Sequence, residues 1–251
     1  MVPEIRRPSV LRSARSEDGS CRHLLVWKAG PGWRMVSSAV LGGGIGERRW
    51  VLNAQVRPGY DRMDPERHLA GLAEAEGLRG PGVGLMTAAE VDDCTWGEDG
   101  GAVALVTTGI GVPTWAAAPG PQVPGPYVPG TINILAVVPA PVADAGLVNL
   151  LATATEAKVQ ALLDAGYSCS GTPSDAVCVA VRSPTGGEVA DPFGGPRSVW
   201  GARLARAVHR AVLDGAERDR ARRSNGPGVP HPRPRPNCFR EDVLAPGSVT
   251  A

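Results

Sequence analysis

The sequence predicts an α/β or α+β fold, in which a mixed sheet is covered by helices in a single domain. Short apolar runs at 102–107, 131–138 and 176–181 are typical of strands covered on both faces. The run at 131–138 leads almost directly into a helical pattern at 144–164. This close succession of strand and helix is what a sheet with helices packed on it requires.

Two further strands are expected at 33–40 and 50–56, on either side of the glycine loop LGGGIGERR. We expect them to pair as a hairpin or as a bulged pair. Consecutive glycines allow backbone N–H groups to approach a ligand closely, but on spacing alone a glycine-rich turn is the preferred interpretation. The loop is neither a Walker motif nor a dinucleotide fingerprint, because the residues that define them are missing.

Capping signals predict three shorter helices. These are a helix from Asp64-Pro65-Glu66 to about Gly77, one that begins with the capping box Thr87-Ala88-Ala89-Glu90, and one from Ser198 to about Gly215.

The helix predicted at 144–164 carries a lysine on its apolar face. At about 100° per residue, Lys158 lies in the same stripe as Leu151 and Leu162, whereas Glu156 lies opposite. The preferred interpretation is that the stem of Lys158 is buried and its ammonium reaches the solvent. The alternative is a buried lysine that pairs with a carboxylate or is directed at a reacting carbonyl.

Polar residues lie inside or next to the apolar runs. Asn133 is costly in a buried strand unless its amide is paired. The first run continues into Thr108-Gly109, which would form either a turn or a backbone donor site, and the turn is preferred. Thr172 and Asp175 precede the run at 176–181, where a short acid is either a turn residue or a group that orients a base or a substrate amide.

Composition excludes several classes of function. The chain has 26 Lys and Arg against 25 Asp and Glu, so binding to nucleic acid is not expected. Five scattered cysteines and four histidines without metal-ligand spacing predict no metal site, no cofactor and reduced thiols. No run of membrane-spanning length is present, and we therefore expect a cytoplasmic protein that does not bind membranes.

Three regions are predicted along the chain. They are an N-terminal extension at 1–20, one folded domain at 21–215, and a disordered tail rich in proline and arginine at 216–251. The sequence gives no indication of oligomeric state.

Taken together, several motifs resemble the adenosylcobinamide amidohydrolase family of corrinoid salvage. They occur in order between about residues 36 and 213: SSAVLGGGIGERRWVLNAQV, YDRMDPERHL, GLMTAAEV, PGTINILAVV, ATATEAKVQALLDAG, SGTPSDAV and WGARLARAVHRAV. One departure is SGTPSDAV, where Pro173 and Ser174 stand in place of the threonines usual in the family. This departure leaves the role of hydroxyl groups in that segment open.

The resemblance implies hydrolysis of the aminopropanol amide of adenosylcobinamide to give adenosylcobyric acid. A corrin is a broad ring edged with carboxamides, and we expect glycine backbone and polar side chains to hold it. The substrate-binding residues expected on this basis are Gly43, Gly44, Asn53, Thr108, Gly109, Thr172 and Asp175.

The Gly130-Thr131 pair is also similar to the segment that carries the nucleophile in the self-cleaving aminopeptidase/D-esterase and ornithine acetyltransferase families. By this similarity Thr131 attacks the amide carbonyl, and Asn133 orients the substrate or the nucleophile. The base is then the free amine that cleavage before Thr131 would produce, or else Lys158 or Glu156. Alternatively, Thr131 is simply a good strand residue.

Two rival hypotheses remain at this point. In the first, Asp175 or Glu156 activates water for direct attack on the amide. In the second, the protein binds or delivers corrinoids without catalysing any reaction.

Overall fold

The structure is a computed structural model that describes residues 8–119 and 130–224 and the backbone of 241–243. The strands are β1 (Val10–Glu17), β2 (Ser20–Trp27), β3 (Trp33–Ser37), β4 (Gly44–Glu47), β5 (Val51–Gln55), β6 (Val83–Thr87), β7 (Thr95–Asp99), β8 (Ala102–Gly109), β9 (Thr131–Val138), β10 (Ala176–Arg182) and β11 (Glu241–Val243). The helices are α1 (Pro65–Ala75), α2 (Asp144–Asp164) and α3 (Val199–Ser224), and a short 3-10 helix spans Val91–Asp93.

The strands form two sheets that pack face to face. One sheet has the order β11-β1-β2-β5-β6 and the other has the order β4-β3-β10-β9-β8-β7. In the apolar layer between the two sheets, Leu25 and Leu85 of the first sheet pack with Leu135 and Val137 of the second. Helix α1 covers the outer face of the first sheet, and α2 and α3 cover the outer face of the second. The predicted fold class is confirmed as mixed sheet covered by helices.

Strand β9 is buried on both faces because it lies between the helices and the opposite sheet. Ile132 and Ile134 pack into the core beneath α2 and α3, whereas Leu135 and Val137 pack into the layer between the sheets. The alternation places Thr131 and Asn133 on the side that faces the other sheet. The bounds predicted for β9 and α2 agree with the structure.

The hairpin predicted around the glycine loop is wrong. Strand β3 pairs with β4, which the loop itself forms, while β5 pairs with β2 and β6 in the other sheet. The chain therefore changes sheets after the glycines. A Cβ at Gly42 would lie 1.9 Å from the Gly82 carbonyl oxygen, so the loop packs tightly where the two sheets meet.

Two helix predictions also differ from the structure. Thr87 ends strand β6 and its hydroxyl accepts a hydrogen bond from the Ala89 N–H at 3.0 Å, which is a local turn and not a capping box. Helix α3 does not stop at Gly215 but continues to Ser224. Gly215 packs against Thr108, where a Cβ would lie 2.4 Å from the threonine Oγ1. This glycine serves close packing and does not end the helix.

The folded elements extend beyond the domain predicted at 21–215. Strand β1 lies in the predicted N-terminal extension, yet it pairs with β2 along its whole length and buries Val10. The last turns of α3 and strand β11, which pairs with β1, lie in the predicted tail. The rest of that tail lies outside the described residues. Among those residues, no helix combines the length and the apolar character needed to cross a membrane.

Candidate active site at the start of β9

The polar residues singled out in the sequence meet at one end of the second sheet. Strand β8 runs antiparallel to β9, so that Gly109 pairs with Thr131 and Thr107 pairs with Asn133. Strand β10 runs parallel to β9, and Ala176 pairs with Asn133. The end of β8 and the starts of β9 and β10 therefore lie side by side.

Asp175 is the centre of a hydrogen-bonded cluster at this end of the sheet. Its carboxylate accepts hydrogen bonds from the backbone N–H of Ile132 at 2.9 Å and from the N–H and hydroxyl of Thr172. Lys158 of α2 reaches the same carboxylate at 2.5 Å. The interpretation of Lys158 as a snorkelling residue is wrong, because its side chain is only 8% exposed and its ammonium is paired.

Gly171 allows this ion pair to form. A Cβ at this position would lie 2.2 Å from Asp175 Oδ2 and 2.6 Å from Lys158 Nζ. The Gly171 backbone thus packs directly against the pair, and the 2.5 Å between the two charged atoms leaves no room for a substrate group between them. The arrangement indicates a positioning role for Lys158 and Asp175, which tie α2 and the 171–175 turn to the start of β9.

Thr131 lies beside the hydroxyl of Ser174, at 2.7 Å between the two oxygens. Ser174, which is exposed, also donates a hydrogen bond to the Gly130 carbonyl at 3.0 Å. Thr131 is buried, and its hydroxyl forms a hydrogen bond with this exposed serine. The sequence alone does not indicate a role for Ser174, although the segment SGTPSD that contains it is rich in hydroxyl groups.

An amide network lies next to Thr131, between the two sheets. Asn133 donates to Asn53 Oδ1 at 2.9 Å and to the Met86 carbonyl at 2.9 Å, and Asn53 donates to Thr107 Oγ1 at 3.0 Å. These contacts compensate for burying two amides. Asn133 Oδ1 is buried and has no hydrogen-bond partner among the described residues. The cavity that Asn133 lines between the sheets is about 10 Å³, which is no more than the space of one water molecule.

Other predicted residues lie apart from this cluster. Glu156 is exposed on α2, and it lies two residues, or about 200°, around the helix from Lys158. Gly43 and Gly44 belong to the loop at the edge strand β4, which β3 and β10 separate from β9. The side chain of Thr108 points toward α3, where its Oγ1 meets Gly215. Gly109 alone of the Thr108-Gly109 pair presents its backbone directly opposite Thr131.

A neighbouring thiol does not compete with Thr131 as a nucleophile. Burial raises the pKa of Cys169 above its ordinary value, and the charge of Asp175 raises that pKa further. The thiolate is the reactive form of cysteine, so Cys169 stays protonated and unreactive at neutral pH.

A family model described as adenosylcobinamide amidohydrolase (CbiZ) matches residues 8–224. The chain belongs to the adenosylcobinamide amidohydrolase family. The match confirms the resemblance inferred from the motifs. It also begins before β1 and ends with α3, so the adenosylcobinamide amidohydrolase family region includes β1 and the last turns of α3, which lie outside the predicted domain.

Individual relatives carry the same name as the family. The adenosylcobinamide amidohydrolase of Methanosarcina mazei is 30% identical over 188 residues, which are 72% of this chain and 88% of the relative. That of Halobacterium salinarum is 45% identical over 84 residues, which are 33% of this chain and 34% of the relative. Among solved structures, the PH0078 protein from Pyrococcus horikoshii OT3 has a TM-score of 0.47 and 11% identity, covering 83% of this chain and 84% of that chain.

Proposed function

We propose that this protein hydrolyses the amide bond between adenosylcobinamide and its aminopropanol arm and releases adenosylcobyric acid for corrinoid salvage. Membership of the adenosylcobinamide amidohydrolase family supports the substrate class. The observation that supports the chemistry is the hydroxyl of Thr131, held 2.7 Å from the exposed Ser174 beside the end of β8.

In the proposed mechanism Thr131 Oγ1 attacks the carbonyl carbon of the substrate amide. A threonine hydroxyl must lose its proton as it attacks, and Ser174, whose oxygen lies 2.7 Å away, would take up this proton while it gives its own to the departing nitrogen. The aminopropanol nitrogen takes up a proton and leaves, so that the corrinoid acyl group is esterified to Thr131. Water then hydrolyses this ester and restores the threonine.

Asn133 shares the face of β9 with Thr131 and would hold the strand that carries the nucleophile through its bonds to Asn53 and Met86, since its own Oδ1 is buried out of reach of a substrate. The backbone at Gly109 lies opposite Thr131 and is the nearest strand segment for stabilising an oxyanion. Lys158 and Asp175 hold the turn that carries Ser174 and do not contact the reacting atoms.

The contacts of Asp175 argue against direct attack by water. A general base needs a free lone pair directed at the water. The Asp175 carboxylate instead accepts four hydrogen bonds, one of them from the Lys158 ammonium. Glu156, the other base considered, is exposed and away from the cluster. Attack by Thr131 is therefore the mechanism that the geometry favours.

The test is a turnover assay with adenosylcobinamide, in which chromatography follows the formation of adenosylcobyric acid. We expect product from the wild-type protein, a loss of about 10³-fold or more in Thr131→Ala, and unchanged turnover in the matched control Glu156→Gln. Binding of the corrinoid without any product would support the non-catalytic alternative. Near-normal turnover in Thr131→Ala would remove Thr131 as the nucleophile.

A further inference from the structure

A thiol, an imidazole and a carboxylate meet at the start of β2, in the first sheet. Cys21 Sγ lies 3.7 Å from His23 Nε2, and His23 Nδ1 lies 2.8 Å from Asp92 Oδ2. A nucleophile beside a base that a third group orients is the side-chain arrangement of catalytic triads. The thiol is also within reach of solutes, because Cys21 is exposed.

Regular backbone holds these three groups in place. Cys21 and His23 share the face of β2 with Leu25, which packs between the two sheets. Strand β2 is paired with β1 along its whole length. Asp92 belongs to the short 3-10 helix, which the fully buried Val91 anchors in the same apolar layer. The three side chains are therefore carried by a strand and a helical turn that the core fixes relative to each other.

The position of Asp92 decides which nitrogen of His23 carries the proton. A carboxylate only accepts hydrogen bonds, so Nδ1, which faces it, carries the proton of the neutral imidazole. Nε2 then presents its lone pair to the Cys21 thiol and can take up the thiol proton. His23 is thus placed to act as a base toward Cys21.

The charges around the imidazole are balanced. Arg12 of β1 contacts the other oxygen of Asp92 at 3.2 Å, so one cation and one anion already lie beside the thiol and the imidazole. Arg15, which donates to the His23 carbonyl at 3.4 Å, is itself paired with Glu17. Two further acids of the neighbouring segment are paired elsewhere, Glu90 with Gln55 and Asp93 with Arg222. Transfer of the thiol proton to the imidazole therefore creates two opposite charges and leaves no net charge.

Burial suppresses the reactivity of the other cysteines among the described residues. It raises the pKa of Cys94 to about 11 and the pKa of Cys178 to about 12, and it also raises the pKa of Cys169. The thiolate is the form of cysteine that attacks, so these three thiols are unreactive at neutral pH.

We propose that Cys21 is a reactive thiol that exchanges with small-molecule disulfides and forms a mixed disulfide with them. The Cys21 proton passes to His23 Nε2, and the thiolate attacks one sulfur of the disulfide. A new S–S bond forms as the old one breaks, and the departing thiolate takes up the proton from His23. The Cys21 sulfur is oxidised and the departing sulfur is reduced, so the disulfide itself is the oxidant. This exchange does not depend on the amidohydrolase function.

The experiment measures the rate at which dithiodipyridine, an uncharged disulfide, modifies Cys21 as the pH is raised. Peptide mapping assigns the site, and a Cys238→Ser background removes a cysteine that lies outside the described residues. We expect a half-maximal rate at about pH 7 in the wild type, within the range of thiols beside a histidine, and at about pH 8.5 in His23→Gln. Because the more acidic thiol gives the weaker nucleophile, the two profiles should cross. The wild type should react about threefold faster at pH 7, and His23→Gln about threefold faster at pH 9.

The matched control is His209→Gln, which removes the histidine of another His–Asp pair, between α3 and α2. It should leave the Cys21 profile unchanged. A crossing also separates the proposed role of His23 from a structural one, since misfolding would change the rate in one direction at every pH. Wild-type and His23→Gln profiles that coincide, or that differ in the same direction at both pH values, overturn the proposal.

Discussion

Replacing Lys158 by methionine tests the role of the buried ion pair. The two side chains are 8% and 10% exposed and their charges lie 2.5 Å apart. Removing one partner of a buried pair costs about 3–5 kcal/mol, because the other charge stays buried without compensation. Asp175 would keep three donors, from Ile132 and Thr172, so we expect the lower end, about 3 kcal/mol.

A loss of this size is easily measured in a chain of 251 residues. It corresponds to a decrease in melting temperature of about 6–12 °C. Urea denaturation followed by circular dichroism gives the free energy of unfolding directly. The matched control is Glu156→Gln on the exposed face of α2, which should change that free energy by less than about 0.5 kcal/mol.

The double variant Lys158→Met with Asp175→Asn separates charge from packing. Since it buries no unpaired charge, it should recover a large part of the lost stability. The reasoning is refuted if Lys158→Met alone costs less than about 1 kcal/mol, or if the double variant is no more stable than the single one. Either result would mean that the carboxylate does not depend on the ammonium.

Three further predictions concern other parts of the fold. Burial lowers the pKa of His68 in the folded protein. As the pH drops below about 6.5, the unfolded chain therefore takes up a proton on this residue before the folded protein does, and the free energy of unfolding should decrease. His68→Gln should weaken this pH dependence in urea titrations. Gly97→Ala places a Cβ 1.9 Å from the backbone of α3 and should lower the free energy of unfolding by about 1–3 kcal/mol. Gly71→Ala places its Cβ in open space on α1 and should raise the free energy of unfolding by about 1 kcal/mol in the same assay. Burial raises the pKa of Cys178 to about 12. Iodoacetamide at pH 8 should therefore modify the exposed Cys21 and leave Cys178 unmodified. Equal labelling of the two cysteines in peptide maps would contradict this prediction.

Elements with a continuous periodic signal could be predicted from the sequence. The strand at 131–138 and the helix at 144–164 have such signals, and both bounds agree with the structure. Pairing between elements could not be predicted in the same way. The glycine loop suggested a hairpin between β3 and β5, yet local sequence does not contain the change of sheet that separates them.

The sequence indicates which buried polar residues need partners, but not which residues those partners are. Asn133 was recognised as a residue that needs a partner, and the structure supplies Asn53 and Met86 from the opposite sheet. For Lys158 the preferred interpretation is wrong and the alternative, a buried lysine paired with a carboxylate, is confirmed; the partner Asp175 could not be named, because it precedes another strand and becomes adjacent only when β9 and β10 pair. Ser174 likewise meets Thr131 only when β9 and β10 pair.

The hydrogen bonds from Asn133 to the opposite sheet have a consequence for how the two sheets dock. The apolar side chains around them would tolerate sliding of one sheet over the other, because van der Waals contact depends little on direction. The bonds to Asn53 and Met86 form at only one offset between the sheets. These hydrogen bonds therefore fix the position of one sheet relative to the other. Asn133, which forms them, also lies two residues from Thr131 on the same strand.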